Sequence, residues 1–181
     1  MALIMSEAGR HDDAIRFYRN AIAVQPEVAE PHVNIAQELM SSGKPDEALI
    51  HLTEALRLKP NLPLPHMDLA LLLAARGKMD EANLHLNELL RLSNGDAVGQ
   101  SYLCFVFRQL GRLDDSIAHC TESLRLDPDL LYSRFNLAAA LAAQGKRSEA
   151  ISEISRVLAI NPNYPGARSL LEQLQSTAAS R

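Results

Sequence analysis

The chain has 181 residues, with 18 Lys and Arg against 22 Asp and Glu, a net charge of −4 and no tryptophan. That balance, with cations scattered along the chain, excludes a general nucleic-acid binder, and no apolar run approaches the roughly 18 residues that span a bilayer. The opening MALIMSEAGR has no basic segment followed by a long apolar stretch, so it is not a secretion signal; a cytoplasmic protein without membrane insertion is expected.

Residues 1–28 read as an incomplete unit: a truncated first helix, Gly9, then a second helix over Asp12–Val24 with Ala14, Tyr18 and Ala21 on its packing side. Four complete units of equal length follow, over 29–62, 63–96, 97–130 and 131–164. The last is the clearest. Its first helix runs from about Tyr132 to Gln144, and Gly145 stands where a left-handed cap residue is expected. Ser148 and Glu149 open the second helix, and Asn161-Pro162 stops it. At intervals of 34 residues towards the N-terminus, the glycine recurs as Gly111, Gly77, Gly43 and Gly9, and the small residue Ala150 as Ser116, Ala82, Ala48 and Ala14. The proline recurs as Pro128, Pro60 and Pro26, with Asn94 in the missing slot. Such self-similarity marks a repeat array whose units stack rather than enclose one central core.

The spacing and the glycine, small and proline slots resemble the tetratricopeptide repeat family over nearly the whole chain. Its large aromatic slots differ. The tryptophan slot holds His32, His66, Gln100 and Arg134, and the tyrosine slot holds Leu39, Leu73, Phe107 and Leu141. The resemblance implies an all-α fold, a right-handed α-solenoid of antiparallel helix pairs forming a single domain over residues 1–181.

Two ends of this pattern are irregular. The 63–96 unit leaves through Asn94-Gly95, with Gly99 near the next helix start; this junction is either soft or a well-packed local variant. Residues 165–181 form a last helix and tail. Glu172 stands where complete units carry a small residue, while Leu170, Leu171 and Leu174 keep an apolar stripe. The expectation is a capping helix. At the other end, the missing first turn suggests a fragment of a longer protein and leaves an uncapped face open to self-association.

Cys104 and Cys120 read as buried thiols packing as small hydrophobes, with a disulfide as the alternative. No G-x-S-x-G, P-loop, H-E-x-x-H or C-x-x-C pattern is present, so no catalytic residues, cofactor or metal are expected. His51, His85 and His119 recur one unit apart, too far to share a zinc ion. Asp12-Asp13 and their repeats are helix N-terminal acids, and Arg10, Lys44, Lys78, Arg112 and Lys146 complement a helix C-terminus.

The first helices leave one face unused, which in the family lines a concave groove. It carries Val33, Asn34 and Gln37, then Met67 and Leu71, then Tyr102, Phe105 and Arg108, then Tyr132, Phe135 and Asn136. It is polar at the start and becomes apolar further along, and an apolar groove on a soluble surface usually marks a partner site. The Lys/Asn/Arg clamp by which some family members hold peptide carboxylates is absent, since its slots hold Val33, Gln37, Met67 and Asp68. Asn34 and Asn136 partly match the asparagines by which glycosyltransferase-linked members grip a peptide backbone. The expected function is a non-catalytic module holding a peptide or helix of a protein partner. The alternative is the C-terminal substrate-recognition tail of a larger enzyme such as a protein glycosyltransferase.

Overall fold

The structure, a computed structural model, describes residues 10–176. Among these it contains ten α-helices and no strand: α1 (His11–Val24), α2 (Glu30–Ser41), α3 (Pro45–Leu58), α4 (Pro63–Ala75), α5 (Met79–Leu92), α6 (Ala97–Gln109), α7 (Leu113–Leu126), α8 (Leu131–Ala143), α9 (Arg147–Ile160) and α10 (Ala167–Ser176). The truncated first helix expected before Gly9, and Gly9 itself, lie outside the described residues. The chain divides into two compact units, Met1–Glu88 and Leu89–Arg181.

The glycine register works as its spacing predicts. Gly43, Gly77, Gly111 and Gly145 all have φ between 71° and 77°. At each, the next residue's N–H reaches back past the glycine, as in Lys44 N to Leu39 O at 2.8 Å and Lys146 N to Leu141 O at 2.9 Å. This 6→1 closure satisfies carbonyls that the ending helix leaves open. The cations after the glycines also serve the following helix: Lys78 pairs with Glu81 at 2.9 Å and Arg112 with Asp115 at 2.7 Å.

In the first unit, α1 packs on α2, α2 on α3 and α3 on α4. Ile15, Ile35, Leu39, Leu52, Leu69 and Leu73 form the core, and the small slots Ala36, Ala48 and Ala82 let the helices approach. Each such buried Leu or Ile contributes about 1.5–3 kcal/mol relative to exposure. In the second unit, α6 pairs with α7, α8 with α9, and α8 also packs on α6 and α7. Ala138, Leu141, Ala150, Ile154 and Val157 form its main cluster. α10 packs on α9 and α8 through Ala167, Leu170, Leu171 and Leu174, while Glu172 stays exposed.

The cysteines correct the favoured expectation. Cys104 on α6 and Cys120 on α7 are joined by a disulfide, with Cα atoms 5.0 Å apart. Both are fully buried. A small residue and a small replacement for an aromatic meet at the helix crossing, which brings the backbones within bonding reach.

The Asn94–Asp96 junction is a bonded local variant. The Asp96 carboxylate accepts from Gly99 N at 2.6 Å and caps α6. Gln100 Nε2 donates to Ser93 O at 2.9 Å, and Ser93 is fully buried. Gly99 is required by contact: a Cβ there would stand 2.8 Å from Ser93 Cα.

Candidate interaction face

The predicted face divides by unit. In the first, Gln37 is exposed and Asn34 and Leu71 are half-buried. Val33 and Met67 are buried, at 8% and 7% exposure. Val33 packs with Ala29 and Ala55 against Leu58, Leu62 and Leu64, so what it offers a ligand is limited. Asp68, in the slot equivalent to Asn34 and Asn136, is 5% exposed. Its Oδ2 has no hydrogen-bond partner, and burial pushes the carboxyl up to about 7.

In the second unit the predicted residues come together around α6 and α8. The Phe105 and Tyr132 rings stand 6.0 Å apart, tilted by 42°. The Arg108 guanidinium lies 5.4 Å from the Phe105 centroid. Its Nε donates to Asn136 Oδ1 at 3.2 Å, and Asn136 Nδ2 donates to the Tyr132 carbonyl at 2.8 Å. Phe135 lies against Tyr164, with centroids 5.4 Å apart, and packs on the α8–α9 core. Phe105, Arg108, Tyr132 and Phe135 are all half-buried, whereas Asn136 is 1% exposed. Burial pushes the Tyr132 hydroxyl up to about 12 and holds the Arg108 guanidinium below its ordinary value. Tyr102 is half-buried on the same helix as Phe105.

The sequence reading treated the tryptophan-slot residues and the recurring histidines separately and missed that they pair. His32 meets His51, and His66 meets His85, each Nδ1 to Nδ1 at 3.0 Å. Gln100 Oε1 accepts from His119 Nδ1 at 2.7 Å, and Arg134 Nη1 donates to Glu153 at 2.8 Å. All four pairs are 19 residues apart. A matched offset between two recurring polar registers was the available signal. These contacts tie the two helices of each repeat together. Among the described residues no group of three or more His, Cys, Asp or Glu side chains is placed to hold a metal ion, and no described helix is long and apolar enough to cross a membrane.

Stacked helix pairs closed by left-handed glycines, with a half-exposed aromatic face on the first helices, define a helical repeat protein. Profiles of the tetratricopeptide repeat match residues 39–101 and 107–174, and a second such profile matches residues 2–63. The chain belongs to the tetratricopeptide repeat family. Its fold is that of solved members. TTC0263, a thermophilic TPR protein of Thermus thermophilus, superposes with a TM-score of 0.82 at 20% identity, over 96% of this chain and 95% of that one. A chain of the APC/C hetero-tetramer Cut9–Hcn1 gives 0.71 at 23% identity, over 96% of this chain but 35% of its own length. Human IFIT1, in a dimer bound to m7Gppp-AAAA, gives 0.79 at 19% identity, over 93% of this chain and 43% of that one. No curated protein sequence matches the chain.

Proposed function

We propose that the chain is a non-catalytic interaction module that holds a peptide of a protein partner on the unused face of its first helices. Members of this family serve generally as protein-interaction scaffolds. The observation that carries the finer reading is the cluster of Phe105, Tyr132 and Arg108: three large side chains, half-exposed, on adjacent first helices. Aromatic and Arg side chains are the usual anchors of an interface. The partner is a protein rather than nucleic acid, because one guanidinium does not neutralise a phosphate backbone.

The glycosyltransferase-tail alternative would need asparagines free to grip a peptide backbone. Asn136 is buried, and its amide is committed to Arg108 and the Tyr132 carbonyl.

The test is a selection of random displayed peptides on the wild-type chain and on Phe105→Ser. The wild type should return a consensus and Phe105→Ser should not, with its melting temperature close to wild type. A strongly destabilised Phe105→Ser would make Phe105 a core residue. A stable one that selects the same consensus would put the site elsewhere.

A further inference from the structure

Arg108 is a half-buried cation without an anion. Among the described residues its only hydrogen-bond partner is the neutral Asn136 amide, and no carboxylate perturbs it. The contrast is Arg134 on α8, whose guanidinium is paired with Glu153 at 2.8 Å. A desolvated charge is costly unless it is paired. Here the compensation inside the chain comes from one amide oxygen, the face of Phe105, 5.4 Å away, and the neighbouring Tyr132.

One edge of that guanidinium is held by Asn136. Asn136 Nδ2 is committed to the Tyr132 carbonyl, so its Oδ1 must face Arg108. The bond engages Nε and leaves the two terminal nitrogens, the edge that meets a carboxylate with two parallel bonds. The aromatic pair Phe105 and Tyr132 lies beside it.

We propose that this edge of Arg108, positioned by Asn136, is the docking point for a carboxylate of an Asp or Glu side chain on the partner peptide, whose neighbouring apolar side chain rests on Phe105 and Tyr132. This rests on the peptide-binding reading above and makes it specific. The pairing places an anion beside a half-buried cation that no carboxylate of the described residues pairs with, so it discriminates acidic from neutral peptides more than it speeds their encounter. A phosphodiester is the less favoured anion, because no second cation acts on Arg108.

The test is the same peptide selection carried out on wild type and on Arg108→Gln, followed by affinity measurements with synthetic peptides. The wild type should enrich Asp or Glu at one position of its consensus. Replacing that acid by its amide in the synthetic peptide should weaken wild-type binding about ten- to a hundredfold, the scale of one charge-assisted pair. Arg108→Gln should bind the acid and amide peptides within about twofold of each other, the pair being gone. The peptide-side substitution leaves the protein untouched, so a peptide whose binding ignores the change from acid to amide overturns the proposal even if Arg108→Gln melts early. A consensus without an acid, or an acid preference that survives Arg108→Gln, overturns this proposal and leaves the peptide-binding reading standing. No consensus from either protein overturns both. Arg108-dependent binding of a short single-stranded RNA in place of peptides also overturns it.

Discussion

His66 joins two neighbours at once: its Nδ1 stands 3.0 Å from His85 Nδ1, and its Nε2 stands 3.0 Å from the carbonyl of Pro60. Only a protonated Nε2 can donate to that carbonyl, so in the neutral pair Nδ1 accepts from His85. One unit on, Gln100 makes the same two connections, accepting from His119 and donating to Ser93 O. In these two repeats the slot that holds tryptophan elsewhere in the family holds a side chain with one acceptor and one donor. His66→Gln is therefore expected to change stability by less than about 0.5 kcal/mol, because both bonds are kept. His66→Leu leaves the His85 donor without its partner and should cost about 1–3 kcal/mol. Urea unfolding of the two variants checks this; equal losses would mean that size, not polarity, matters in this slot.

The titratable groups pull in opposite directions. His32, His51, His85 and His119 are all held below the ordinary imidazole value, first of all by burial. The unfolded chain then binds more protons just below the ordinary imidazole value, so their contribution is complete above about pH 6.5 and is lost as the pH falls. Asp68 is raised to about 7 by burial. Its folded form keeps a proton that the unfolded chain has released, so its contribution is complete at acid pH and is lost as the pH rises towards about 7. Asp68→Asn removes the second effect alone. It should stabilise by about 2–4 kcal/mol at about pH 8 and by little at about pH 4. Unfolding curves at the two pH values are the check, and a pH-independent effect would show that Asp68 is solvated.

Gly99 tests the 93–100 junction. Helix propensity favours Gly99→Ala by about 1 kcal/mol, but the added Cβ would meet Ser93 Cα at 2.8 Å and its Oγ at 2.7 Å. Because Ser93 is fully buried and its hydroxyl donates to Leu89 O at 2.6 Å, it has nowhere to move. Gly99→Ala should destabilise by about 1–3 kcal/mol. Thermal melting decides; a gain would show that the junction yields.

The small slot of the last complete repeat gives a matching prediction. Ala150 is fully buried and packs with Ala138, Leu141 and Ile154. Ala150→Leu should overpack that crossing and cost about 1–3 kcal/mol, whereas the same change at exposed Ala159 should cost almost nothing. Matching melting curves for the two variants would contradict the assigned register.

Ala150 and Gly145 show why the fold was readable. Each is dictated by local backbone shape or by the closeness of one crossing, and a period of 34 residues repeats that demand. Side-chain pairing was not readable in the same way. The separation of 19 between His66 and His85 crosses the turn between two helices, and the separation of 28 between Arg108 and Asn136 crosses from one repeat into the next. Both depend on how far helices rotate against each other, which periodicity does not specify. The disulfide was open for the same reason: two small slots near one crossing suit a free pair or a bonded one. Burial at Val33 and Met67, on a face expected to be free, depends on neighbouring side chains such as Leu62 and Leu64 around Val33.

The central claim is that the first-helix face of α6 and α8 receives a partner peptide. Titrating a library-selected peptide into isotope-labelled protein and following the NMR shifts residue by residue tests it most directly. The expected result is movement at Phe105, Arg108, Tyr132 and Asn136, with Thr121 on α7 and Ser155 on α9 unmoved. Shifts confined to α7 and α9, or none at saturating peptide, would contradict it.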